Sequence, residues 1–251
     1  MRGDHSYSSY PYLVEQEFVE VCHHFDRKYR QADLGETRRR WRVDVISAVE
    51  PAIVFSFGPE RYTWLQITRP LENPDDGDLS SYLDGFSFNE QRTNREMDLE
   101  MNVEGDSEML STEEADQAVI VKQPPPKGFE VGQHGHVRYE VHIHPTYRTP
   151  CLWFSLYGLP ADEDPLSIDT VFRRLVPDHF KAGMRASTGT LDGISLSHHP
   201  VTGAPTFFIH PCRHGEAMYD FDCPKEVYIS VWLGLVGQCV GLWVPPEMAI
   251  R

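Results

Sequence analysis

The sequence predicts an α+β domain, a mostly antiparallel sheet with flanking helices. An apolar stripe recurs at helical spacing near the start. Short β-favouring runs follow, several of them alternating apolar with polar residues. Val227 to Pro246 contains no charged residue, which suits a buried helix under the sheet. A chain of 251 residues, 40% of them hydrophobic, is long and apolar enough for a core, and a single domain over 1–251 is expected.

From Pro11 to Gln31, Val14, Phe18, Val21, Cys22 and Phe25 make one apolar stripe, with Gln16, Glu20, His23, Arg27 and Arg30 opposite. The polar side mixes both signs of charge, so the stripe is expected to pack on a core rather than lie on a membrane. After Gly35 the period changes. Trp41, Val43 and Val45 alternate with Arg40, Arg42 and Asp44, predicting a half-buried strand. Ile53 to Phe55 is read as its continuation, Phe57 to Glu60 as a turn, and Tyr62 to Ile67 as the partner strand.

The formal charge is −15, and between Leu71 and Val121 fifteen Asp or Glu stand against Arg92 and Arg95 alone, so this stretch carries most of it. Residues 71–131 are expected to be a disordered acidic insertion, too poor in apolar surface to offset the entropy of ordering, although Gln117 to Lys122 has the composition of an edge strand. With one short basic run, Arg38 to Arg40, the chain lacks the concentrated positive surface that nucleic acid requires.

Val137, Tyr139, Val141 and Ile143 alternate with polar residues in a strand that Pro145 to Pro150 interrupts, and Cys151 to Tyr157 begins another. Ser167 or Asp169 caps a short predicted helix that stops before Pro177, and Gly183 to Ser197 reads as loop. Thr206 to Ile209 is a compact strand stopped by Pro211, which cannot donate to a ladder. Cys212 follows immediately, between His210 and the pair Arg213 and His214. Cationic neighbours favour the thiolate, the form that attacks carbonyl carbon, and this nominates Cys212 as a nucleophile; the plainer alternative is a packed thiol.

The five cysteines are an odd number without a CxxC pair, which suits a reducing cytoplasm and no structural zinc. No secretory or cleavable targeting segment is evident at the N-terminus. Neither a cofactor nor a metal is expected. The one metal arrangement worth weighing is His142 and His144 converging with Cys212 or His210, and no recognised ligand spacing supports it.

Three segments resemble the autophagy E2-like conjugating enzymes: HPVTGAPTFFIHPCRHGEAM around Cys212, YEVHIHPTYRTPCLWF around Tyr147 and Pro150, and WLGLVGQCVGL from Trp232. The resemblance implies an E2-like core whose Cys212 carries a ubiquitin-like protein as a thioester. One branch of that family transfers autophagy-related protein 12 to a lysine of autophagy-related protein 5; the other transfers the protein 8 family to phosphatidylethanolamine. The third segment is similar to the protein 12 branch, and the acidic, tyrosine-rich ending of the lipid branch is not found. The implied partners are the E1-like autophagy-related protein 7, protein 12 and protein 5. His210 and Tyr147 are candidates to stand in for the oxyanion-binding asparagine of ordinary E2 enzymes, and His214 to contact the modifier or lower the thiol's pKa. A cysteine hydrolase and a non-catalytic binding domain remain as other readings. A transmembrane reading of the C-terminal run is disfavoured by its marginal length and its Gly and Gln interruptions.

Overall fold

A computed structural model describes residues 7–49, 61–71, 135–186 and 193–248. The expected strand at Ile53 to Phe55, its turn, the edge strand at Gln117 to Lys122, and the acidic stretch after Leu71 lie outside the described residues. Leu71 belongs to the sheet's surroundings: it is buried, and its N–H donates to the Gly135 carbonyl at 2.8 Å. The expected insertion boundary at residue 71 therefore falls at least one residue early.

Helix α1 spans Glu15–Gln31 and buries Phe18, Val21, Cys22 and Phe25, the predicted stripe, adding Tyr29. Glu17, expected on neither face, is buried too. Its carboxylate accepts from the Val14 N–H at 3.0 Å and from the Ser8 N–H at 2.6 Å, so it satisfies a helix-start donor and ties down the preceding chain. The Arg38 to Arg40 run forms a single turn, α2 (Thr37–Arg40). Arg38 caps α1, donating to the Tyr29 and Ala32 carbonyls at 3.0 and 2.7 Å.

Strands β1 (Arg42–Val49), β2 (Arg61–Pro70), β3 (His136–Ile143), β4 (Pro150–Tyr157), β5 (Ile194–His198) and β6 (Pro205–Ile209) form one sheet in the order β1-β2-β3-β4-β6-β5. Every pairing is antiparallel. The register aligns Val43, Ile67, Tyr139, Phe154, Phe207 and Leu196 in one row across the six strands, and Val45, Leu65, Val141, Leu152, Ile209 and Ile194 in the next. That is the apolar face. Helices α1 and α6 (Tyr228–Val236) pack against it, with Trp232 and Leu233 fully buried. Each large side chain so buried contributes about 2 kcal/mol.

The opposite face carries the row Asp44, Gln66, Glu140, Trp153, Phe208 and Ser195. This face is not wholly solvated; Gln66 and Trp153 are buried.

Helices α3 (Ile168–Arg174) and α4 (Asp178–Ala186) follow β4. Helix α4 and strand β5 overturn the loop expected from Gly183 to Ser197. Ile194 and Leu196 alternate with Ser195 and Ser197, a strand signal shorter than the windows that make periodicity persuasive. The C-terminal run is broken rather than one long helix. Helix α6 ends at Val236, a 3-10 turn covers Gln238–Val240, and Gly241 turns the chain at φ +65°. A Cβ at Gly237 would stand 2.5 Å from the Leu242 carbonyl oxygen. These glycines serve a turn, and among the described residues no helix is long and apolar enough to cross a membrane.

Candidate active site at Cys212

Strand β6 lies between β4 and β5, so its end is held from both sides. Pro211 then starts a 3-10 turn, Pro211–Arg213, which runs directly into α5 (His214–Tyr219). Cys212 sits in that turn with its side chain exposed. The other cysteines are buried, and burial pushes the thiols of Cys22, Cys151 and Cys223 up, away from the reactive thiolate. Of the five, Cys212 alone is exposed to attack an acyl group.

His210 supports this turn from one residue before it. Its Nδ1 accepts the Cys212 N–H at 3.3 Å. With Nδ1 accepting, a neutral ring carries its proton on Nε2, so the free edge of His210 is a hydrogen-bond donor. Tyr147 meets this ring edge to face at 5.5 Å and also touches His144 at 4.8 Å. The turn bearing Tyr147 is itself fixed: His144 Nδ1 accepts from the Thr146 and Tyr147 amides at 3.2 and 3.3 Å, and the Leu13 N–H donates to the Arg148 carbonyl at 2.7 Å. Arg148 adopts φ +52°, the left-handed conformation that reverses the chain there. The structure thus brings together two of the three supporting candidates, His210 and Tyr147.

It turns the third inward. His214 has no exposure, and its Nδ1–H donates to the Pro150 carbonyl at 3.1 Å, joining α5 to the start of β4. Burial drives its pKa down to about 4, so at neutral pH it adds no positive charge beside the thiol, and it has no surface for an incoming modifier. The expected cationic pair reduces to Arg213, whose guanidinium lies 3.8 Å from Glu216. His214 is a packing residue.

The N-terminal segment straps the same helix. The Tyr10 hydroxyl donates to the Met218 carbonyl at 2.8 Å and the Tyr228 hydroxyl to the Pro11 carbonyl at 2.7 Å. A Cβ on Gly215 would lie 2.6 Å from the Tyr12 ring, so only glycine lets the strap cross α5 this closely. The helix that follows Cys212 is therefore clamped between strap and α6.

His142 and His144 do not converge. His144 lies beyond the end of β3, whereas His142 is buried on the polar face with Glu140 and His199. Glu140 accepts from His199 Nε2 at 2.6 Å and stands 4.0 Å from His142 Nε2. Burial alone would raise the Glu140 carboxyl, but the two imidazoles outweigh it and hold the pKa at about 2. Sequence reasoning missed Glu140 and His199; the only signal was a charged residue alternating into a strand.

The ligand atoms of this trio lie within 4.8 Å of one another, close enough to test against a metal. His199 does not fit. Its Nδ1 accepts the Val201 and Thr202 amides, both at 3.2 Å, which puts its proton on Nε2, the atom a cation would need unprotonated. The arrangement is a latch from β3 to the β5–β6 turn.

An interior strand that ends in one exposed thiol, with a hydrogen-bond donor two residues before it, has the layout of a class of protein with a cysteine-bearing site at a strand end. Comparison with known proteins narrows the class. The family described as autophagocytosis associated protein, active-site domain, matches residues 17–247. The ubiquitin-like-conjugating enzyme ATG10 of Gibberella zeae is 49% identical over 247 residues, covering 98% of this chain and 100% of that protein. The human enzyme of the same name is 33% identical over 121 residues, 45% of this chain and 53% of that protein, and the Arabidopsis thaliana one 30% identical over 121 residues, 44% and 52%. The chain belongs to the autophagocytosis-associated active-site family and is an E2-like ubiquitin-like-protein-conjugating enzyme of autophagy.

Proposed function

We propose that Cys212 carries autophagy-related protein 12 as a thioester and passes it to a lysine of autophagy-related protein 5. The observation that carries this reading is the exposure of Cys212, alone among the five cysteines, in the segment similar to the family's active site. The Cys212 thiolate attacks the acyl carbon of the modifier's C-terminal glycine, held as a thioester on the E1-like autophagy-related protein 7, and expels the E1 thiolate. A lysine amine of protein 5 then attacks the new thioester. The Cys212–acyl bond breaks, an isopeptide bond forms, and the amine loses its proton to solvent.

A thioester is already activated, so this chain's task is to orient the amine and steady the oxyanion. The donor edge of His210 is assigned the second role, with Tyr147 holding its ring. One conjugating domain spans 1–251, and buried free thiols suit a reducing cytoplasm.

The test is reconstitution with the E1-like enzyme, ATP and either modifier on a non-reducing gel. A reductant-sensitive adduct with protein 12, replaced by a reductant-resistant ester in Cys212→Ser, supports the reading. An adduct with protein 8 alone moves the chain to the lipid branch, and no adduct with either refutes conjugation through Cys212.

A further inference from the structure

Strand β5 is a sheet edge beside the nucleophile, and among the described residues it pairs on one side only, with β6. The His210 N–H donates to the Gly193 carbonyl at 3.3 Å and the His199 N–H to the Ala204 carbonyl at 2.9 Å. Backbone groups in an antiparallel strand alternate sides, so Gly193, Ser195, Ser197 and His199 face β6 while Ile194, Leu196 and His198 turn their N–H and C=O groups outward. Leu196, Ser197 and His198 are exposed, Leu196 at 51%. The devices that usually protect an edge, lysine, proline or a bulge, are missing from Ile194–His198.

The direction of the strand matters. Ile194 pairs with Ile209 at the Cys212 end, and β5 runs away from that end toward His198. A peptide whose C-terminus must reach Cys212 runs the opposite way, which is the antiparallel sense along β5. Three outward residues at alternate positions span about 13 Å, and two or three further residues carry the peptide past Gly193 to the thiol, a tail of about seven residues in all.

We propose that β5 binds the extended C-terminal tail of the ubiquitin-like modifier as a seventh, antiparallel strand, delivering its terminal glycine to Cys212. Main-chain hydrogen bonds hold the tail, and the exposed Leu196 side chain contacts one of its apolar residues. This rests on the reading of Cys212 as the carrier.

Two measurements test it. In Leu196→Pro the outward N–H is lost but no β5–β6 bond is, since an edge strand accepts proline where its N–H faces solvent. Loading of protein 12 from the E1-like enzyme is expected to slow about fivefold to tenfold, and in Leu196→Ala, which keeps the amide, no more than about twofold. Iodoacetamide alkylation of Cys212 at the wild-type rate shows that the turn is intact in both. Amide exchange is then read on the Cys212→Ser ester conjugate, where the Ile194, Leu196 and His198 amides are expected to slow about tenfold or more relative to the free chain. Equal loading by Leu196→Pro overturns the inference, as do amides that stay fast in the conjugate or are already slow in the free chain, the last meaning that another part of the chain occupies the edge. A wild-type chain that takes no modifier refutes the carrier reading and this inference with it.

Discussion

Replacing Glu140 by glutamine should cost stability at neutral pH and far less in acid. The carboxylate accepts from His199 at 2.6 Å and faces His142 and, beyond it, the Tyr62 hydroxyl, which lies 3.1 Å from His142 Nδ1. A carboxyl brought from 4.5 to about 2 on folding favours the folded state by about 3 kcal/mol at pH 7. The folded carboxyl titrates below the unfolded one, so this contribution is full above about pH 4.5 and drains away as pH falls toward 2. Near pH 3 it has fallen to about 1.4 kcal/mol. Burial also depresses the His142 imidazole, so its protonation opposes folding as pH falls, in both proteins. The glutamine keeps an acceptor for His199 and loses the charge. Urea unfolding followed by tryptophan fluorescence should give a gap between Glu140→Gln and wild type of about 2 to 3 kcal/mol at pH 7, narrowing by about 2 kcal/mol at pH 3. A gap of the same size at both pH values, or one below about 0.5 kcal/mol at pH 7, would refute the reasoning.

Iodoacetamide on the native protein should modify Cys212 at least about a hundredfold faster than the buried cysteines, read by peptide mapping. An NMR titration should place the His214 ring near pH 4, and His214→Ala, which strands the Pro150 carbonyl and leaves a cavity, should lose about 2 to 4 kcal/mol in thermal or urea unfolding. Gly241→Ala puts a Cβ 2.7 Å from the Leu175 carbonyl oxygen at φ +65°, a cost of about 2 to 3 kcal/mol measurable the same way. His210→Ala should slow transfer from Cys212 to lysine about tenfold to a hundredfold in single-turnover discharge; unchanged discharge removes His210 from oxyanion stabilisation.

Periodicity in the sequence was enough to establish α1, because one helical face must meet the core whatever the core turns out to be. Alternation did the same for β1 and β3, β-favouring composition for β2, and proline placement bounded β6. The HPC segment by itself singles out Cys212, since rigid strand, strand-breaking proline and thiol are adjacent in the chain. What lay beyond the sequence depended on contacts between residues distant in it. HPCRH offers three basic neighbours as equals, but the Pro150 carbonyl, 64 residues away, draws His214 into the interior and leaves it neutral. Glu140 reads as the solvated side of a strand until β4 and the β5–β6 turn close over it and His199 supplies the partner. Local pattern therefore determined most of the elements and which thiol is the candidate nucleophile, because both depend on neighbours along the chain, whereas α4 and β5 fell in a stretch that reads as loop. Which side chains are charged, buried or aimed at that thiol was decided by the tertiary structure, because desolvation and hydrogen-bond partners exist only once the sheet has brought distant residues together.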